Sequence, residues 1–154
     1  YYNIGIDDRI VLTGRFSGPP WDQILDPLGA GSAQFFANAV NTTTWGIDVV
    51  LDWRKEFDAS NLGISIGYNF THTTVDTILV PQTLVDIANN NGMSYQDIQQ
   101  TYFNREEVSR LEVATPNMKL ITTIRYDRKV FGVMLRGTYF GQIEYINPSD
   151  GDSA

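Results

Sequence analysis

The sequence predicts an all-β chain, a segment of an antiparallel transmembrane β-barrel with roughly five long strands, short turns and long loops. Three observations carry that expectation. From Trp45 to Arg54 the residues sort into two sets that want opposite environments: Trp45, Ile47, Val49, Leu51 and Trp53 on one face, Gly46, Asp48, Val50, Asp52 and Arg54 on the other. Successive side chains of a strand point to opposite sides, so this is a strand with one apolar and one polar face. Second, the two tryptophans bound the apolar set and lie about 26 Å apart along an extended strand, or about 20 Å in height at a tilt of about 40°. That approximates the apolar band of an outer-membrane barrel with an aromatic side chain at each interface. Third, the alternating stretches are joined by connections that run long, short, long, short. In an antiparallel sheet all the long loops then leave one end and all the short turns the other, the asymmetry of outer-membrane barrels.

With 154 residues, 42% hydrophobic and 12% aromatic, the chain suits one domain and holds enough apolar material for a core or a lipid belt. It contains no run of about 18 apolar residues, which excludes a transmembrane helix, whereas barrel strands of about ten alternating residues never give that signal. Eleven basic against 18 acidic residues, a net charge of −7, disfavour nucleic acid, whose phosphates would be repelled. The absence of cysteine excludes disulfides and thiolate metal sites and fits an envelope protein. The opening Tyr-Tyr-Asn-Ile has neither a charged n-region nor an apolar h-region, so any signal peptide is expected either to be cleaved or, the favoured reading, to lie on a longer precursor.

In order along the chain, residues 1–16 alternate with Tyr2, Ile4, Ile6, Ile10 and Leu12 on one face. Asp8 interrupts that face, and a carboxylate facing lipid is costly, so Asp7 and Asp8 are expected at or beyond the membrane rim. Ser17 to Thr43 reads as a loop from Gly-Pro-Pro-Trp and Asp-Pro-Leu-Gly-Ala-Gly-Ser. Loops of that length are uncommon without a functional reason. After the Trp45 strand, Lys55 to Ser60 is a short polar connection and Asn61 to Val75 alternates again, with Leu62, Ile64, Ile66, Tyr68 and Phe70 on the apolar face. A second long loop spans Asp76 to Thr115. Within it Gln82 to Asn89 is expected to turn helically after Pro81, and Ser94 with Asp97 resembles a capping box opening Tyr95 to Phe103. Asn117 to Tyr126 is the fourth strand, Asp127-Arg128 a tight hairpin turn, and the fifth strand sets Phe131, Val133, Leu135 and Tyr139 against Met134, Arg136 and Thr138.

The membrane-interface aromatics are therefore expected to be Trp45, Trp53, Tyr68, Phe70, Tyr126, Phe131 and Tyr139. On the polar faces, Asp48, Asp52, Arg54, Lys119, Arg125 and Arg136 are expected to line the lumen wall, as part of a transport path or simply as a charged wall. In the long loops, Trp21, Phe35, Phe36, Tyr95, Tyr102 and Phe103 are candidate ligand-binding aromatics, since binding residues concentrate on loops held by a rigid scaffold; packing of the loops on one another is the equal alternative. No metal site or cofactor is expected. His72 is the single histidine, and the carboxylates Asp7, Asp8, Asp150 and Asp152 lack the rest of a calcium loop. No Gly-x-Ser-x-Gly elbow is present and one histidine leaves little scope for a triad, so no catalytic residues are assigned.

Taken together, Asp8-Arg9-Ile10-Val11-Leu12-Thr13 before a long loop, Asn38-Ala39-Val40-Asn41-Thr42 before Gly46-Ile47-Asp48, Arg110-Leu111-Glu112, Thr115-Pro116-Asn117-Met118-Lys119 and Leu135-Arg136-Gly137-Thr138-Tyr139-Phe140-Gly141 resemble the later barrel strands of a TonB-dependent outer-membrane receptor. The resemblance covers most of the chain. It implies a bacterial outer-membrane location, contact with lipid, a plug domain and a TonB box upstream, and capture of a scarce nutrient such as chelated iron, cobalamin or a glycan by the extracellular loops. Five strands are too few to close a barrel, so the chain is expected to be one segment of a longer receptor whose remaining strands cover both edges. A soluble β-sandwich binding module, or a barrel wall serving adhesion or assembly without transport, are the alternative readings. A sandwich must bury its apolar face against another sheet, while a receptor wall leaves it bare of protein.

Overall fold

The computed structural model describes residues 1–144 and residue 146. Among them, five strands form one sheet in the order of the chain, β1 (Tyr2–Leu12), β2 (Phe36–Phe57), β3 (Ser60–Ile78), β4 (Met118–Arg128) and β5 (Phe131–Phe140). β1 and β5 are its edges, so these strands do not close on themselves. Four α-helices lie in the long connections: α1 (Asp22–Leu25), α2 (Gln82–Asn90), α3 (Tyr95–Tyr102) and α4 (Arg105–Glu112). No helix among the described residues is long and apolar enough to cross a membrane. The candidate carboxylates Asp150 and Asp152 lie outside the described residues.

The chain divides into two compact units. The first, the sheet unit, is Tyr1–Asn3, Thr44–His72 and Thr115–Ile143. β3, β4 and β5 pair antiparallel: Leu62 opposes Tyr126, Ile64 opposes Ile124 and Tyr68 opposes Leu120. Ile124 in turn opposes Leu135, Tyr126 opposes Val133 and Leu120 opposes Tyr139. Opposed residues share a face, so the apolar sets of β3, β4 and β5 form one continuous surface. Trp45 joins it, with its ring 5.3 Å from Phe70 and 6.0 Å from His72.

Three details of this unit differ from the periodicity. β2 runs to Phe57 and β3 begins at Ser60, so the expected connection of Lys55 to Ser60 shrinks to Asp58-Ala59. The second hairpin turns at Lys129-Val130 rather than Asp127-Arg128, because that register adds the pairs Asp127 with Gly132 and Arg128 with Phe131 and sets the Tyr126 and Phe131 rings 6.1 Å apart. Tyr2, expected on the apolar face, lies on the polar one, where its hydroxyl shares a 2.6 Å hydrogen bond with that of Thr71. Its ring covers Gly46, where a Cβ would overlap it and stand 2.5 Å from the Phe70 carbonyl oxygen. Farther along β1, Asp8 adopts a left-handed backbone (φ 52°).

The second, or loop, unit gathers Ile4–Thr43 and Thr73–Ala114. Its core is Phe16, Trp21, Leu25, Ala39, Val40, Ala88, Ile98, Tyr102 and Phe103. The loop expected over Ser17 to Thr43 ends early, because β2 already begins at Phe36. Its first residues are held by that core, with Ala39 and Val40 fully buried and the Ala39 carbonyl accepting from the Leu79 N–H at 2.6 Å. At the other connection β3 likewise extends past Val75 to Ile78. The expected helical turns form as α2 and α3. The capping box is present, the Ser94 hydroxyl accepting from the Asp97 N–H and the Asp97 carboxylate accepting from the Ser94 N–H. Such a cap contributes about 1 kcal/mol. α4 was not expected; its N-cap is Asn104, whose side-chain oxygen accepts from the Glu107 N–H at 3.0 Å.

Candidate functional site

Two surfaces of the sheet unit and the interior of the loop unit hold the residues singled out by the sequence. On the apolar surface, Leu51 is 60% and Leu135 66% exposed, and Ile47, Val49, Ile124 and Val133 are exposed too. Among the described residues nothing covers them. Of the seven interface aromatics, Trp45, Trp53, Phe131 and Tyr139 are exposed, and Tyr68, Phe70 and Tyr126 are half-buried. Phe131 and Tyr139 repeat on β5 the spacing of Trp53 and Trp45 on β2, so both strands carry aromatics about 26 Å apart with aliphatic residues between them.

The opposite surface carries the six charged residues. Asp48 accepts from the Asn69 amide at 2.6 Å. Lys119 opposes Asn69 and sits 5.3 Å above the ring of Phe140. Arg125 opposes Gly63 and pairs with Asp127 at 2.8 Å; Arg136 donates to the Thr123 hydroxyl at 3.1 Å. Arg54 and Asp52 border the cavities above Gly63 beside Arg125. Asn69 and Thr123, which complete this network, were not singled out from the sequence because their partners are set by cross-strand register, whereas Asp127 pairs along its own strand with Arg125, two residues away. Surface pairs of this kind contribute about 0–1 kcal/mol each, so they orient the charged groups more than they stabilise the sheet. Apolar Val50, Met134 and Phe140 share this face and are exposed.

The six loop aromatics divide in two. Trp21 is 5% exposed, Tyr102 0% and Phe103 2%. All three belong to the loop unit's core, packed among loop residues, the second of the two readings the sequence left open for them. The physical reason is that Phe16 stacks on Phe35 at 5.4 Å and meets Trp21 edge-on at 4.8 Å, while Phe35 in turn meets Tyr102 at 6.3 Å, so that both long connections close around one aromatic cluster. Such ring pairs add about 0.5–1.5 kcal/mol beyond area burial. Phe35, Phe36 and Tyr95 remain exposed, Phe36 at 75% and Tyr95 at 50%.

Burial and hydrogen bonding shift several ionisable groups of this unit. The Tyr102 hydroxyl is buried without a hydrogen-bond partner among the described residues, and burial pushes its phenol above the usual range. Hydrogen bonds from the Ser94 hydroxyl and N–H hold the Asp97 carboxyl below its usual range. Glu107 on α4 is buried, which raises its carboxyl, partly offset by the Arg110 guanidinium at 3.1 Å. A carboxyl raised in the folded state stabilises it most below the unfolded value and loses that contribution as pH rises through the folded one. Amide-exchange protection of α4, corrected for intrinsic rates, is therefore expected to decline as pH rises above 4.5, the ordinary value for this carboxyl. In Glu107→Gln the decline should vanish; a decline of equal size in the variant would show that Glu107 is not its source. Among the described residues no group of three or more histidine, aspartate or glutamate side chains is placed to hold a metal ion.

Comparison with known proteins adds no relative: no family model matches the chain, and no curated protein or solved structure does.

Proposed function

We propose that this chain is part of the wall of a bacterial outer-membrane β-barrel, and that the barrel is a TonB-dependent receptor importing a scarce nutrient. The observation that carries the membrane reading is the apolar face. It is continuous over four strands, uncovered, and bounded by aromatics on β2 and β5 whose separation, about 20 Å in height at a tilt of about 40°, approximates the roughly 25 Å apolar band of such barrels. A soluble protein rarely leaves a contiguous apolar patch of more than a few hundred Å² in water. The opposite face, with Asp48, Asp52, Arg54, Lys119, Arg125 and Arg136, would border the wet interior and meet a plug domain, and further barrel strands would pair with β1 and β5. The TonB-dependent part of the reading rests on the motif resemblance from Asp8-Arg9-Ile10 to Tyr139-Phe140-Gly141. In that role the loop unit captures ligand and the plug, rearranged through TonB, admits it.

The test uses the full-length protein reconstituted in lipid vesicles, with each native tryptophan retained singly and bromine-labelled lipids as quenchers. Trp45 and Trp53 are expected to be quenched most by bromines near the headgroups, and a tryptophan placed at Val49 by bromines near the bilayer centre. Full solubility without detergent, with all three positions unquenched, would refute the membrane reading.

A further inference from the structure

On the surface of the loop unit lies an open depression of about 410 Å³ whose lining includes Val75, Asp76, Thr77, Tyr95, Gln99 and Val108. Tyr95 and Gln99 stand four residues apart on α3, so they lie over one another on the same helix face. Three polar side chains here, the Tyr95 hydroxyl, the Gln99 amide and the Thr77 hydroxyl, make no hydrogen bond among the described residues. The Asp76 carboxylate is held in place by the hydroxyls of Thr43 at 2.6 Å and Thr74 at 3.3 Å, one on each oxygen. Each carboxylate oxygen has a second acceptor site left.

The chemistry of these groups selects a ligand class. A half-exposed ring beside aliphatic Val75 and Val108 offers a surface for an apolar face. A carboxylate that only accepts, beside an amide that both donates and accepts, suits adjacent hydroxyls that do both. The lining contains no lysine, arginine or histidine, and its one charge is negative. Anionic cargo such as an iron complex of acidic chelators would meet repulsion from Asp76 with no cation to offset it. A pyranose ring has an apolar C–H face and a rim of hydroxyls, and combines both demands.

We propose that this depression is a subsite for a neutral saccharide, with one sugar ring stacked on Tyr95 and its hydroxyls bonded to Asp76 and Gln99. This deepens the receptor reading by choosing among its cargoes, and rests on it in taking the loop unit as the capturing part.

The full-length protein in detergent would be applied to an array of neutral oligosaccharides (glucans, mannans, xylans and galactans) and their uronic-acid counterparts. At least one neutral oligosaccharide is expected to bind. Tyr95→Ala should weaken that binding about tenfold or more, equivalent to about 1.4 kcal/mol. Tyr95→Trp should retain it, and Gln99→Ala, which keeps the ring, should weaken it with the loop unit still folded by amide exchange. Binding to no neutral glycan, preference for the acidic ones, or unchanged affinity in both Tyr95→Ala and Gln99→Ala would overturn the proposal. The two readings fail separately. A protein whose Trp45 and Trp53 are lipid-quenched but which binds no glycan is a receptor without this subsite, and one that binds through Tyr95 yet needs no detergent has the subsite without being a barrel.

Discussion

Alanine in place of Gly14 is expected to cost the loop unit about 3 kcal/mol, at the upper end of what overpacking a well-filled interior does. A Cβ at Gly14 would overlap the carbonyl oxygen of Thr101, a backbone atom that cannot swing aside as a side chain would. Nor can the two segments part cheaply. The Gly14 N–H donates to the Tyr102 carbonyl at 2.8 Å, and Tyr102 is fully buried in the aromatic cluster that holds both connections. Separating them also breaks a buried hydrogen bond worth about 1 kcal/mol. Amide exchange on the full-length protein is the measurement: protection at Ile98 to Phe103 should fall by two orders of magnitude or so, by the roughly 1.4 kcal/mol per factor of ten. Gly31→Ala, where a Cβ meets nothing, is the control within the same unit. Equal protection in the two variants would mean that the Gly14 approach is not what joins the connections.

Arginine at Val49 tests the sheet unit as sharply. Val49 lies midway between Trp45 and Trp53 on the uncovered face, the bilayer midplane if the receptor reading holds. There arginine should cost about 2–4 kcal/mol of folding free energy in lipid vesicles, read as a shift of the urea unfolding curve. On a water-exposed sheet the same change stays within about 0.5 kcal/mol. Val50→Arg, one residue along and on the opposite face, supplies the contrast: its effect should be small in either case. Similar, small shifts for both variants would place the apolar face in water and refute the barrel.

What could be read from the chain before its structure was whatever a few neighbouring residues decide. The period-two pattern of Trp45 to Trp53 and of Leu62 to Phe70 assigned strands and faces, because alternation is a property of the extended backbone itself. The Ser94 and Asp97 spacing marked the start of α3 because a cap acts within four residues. The candidate saccharide contacts were half legible: Tyr95 stood out as a loop aromatic, but nothing local joined it to Gln99 and Asp76.

Phe16, Trp21, Tyr102 and Phe103 show the limit from the other side. Each is an aromatic residue in or at the end of a long connection, and by itself such a residue is as fit to stack on a ligand as on a neighbour. The choice came from contacts across more than eighty residues of chain, which put Gly14 against Thr101 and let Ala39 and Val40 extend β2 into the loop unit's core. The hairpin turn at Lys129-Val130 and the placement of Tyr2 over Gly46 were likewise settled by register and by the space an absent side chain leaves. The sequence alone thus determined the strands from Trp45 to Trp53, Leu62 to Phe70 and Met118 to Tyr139 and their two faces, since those follow from backbone geometry and side-chain polarity residue by residue. Burial, register and the grouping of Asp76, Tyr95 and Gln99 were decided by the tertiary structure, because they depend on surfaces that meet only when distant segments pack.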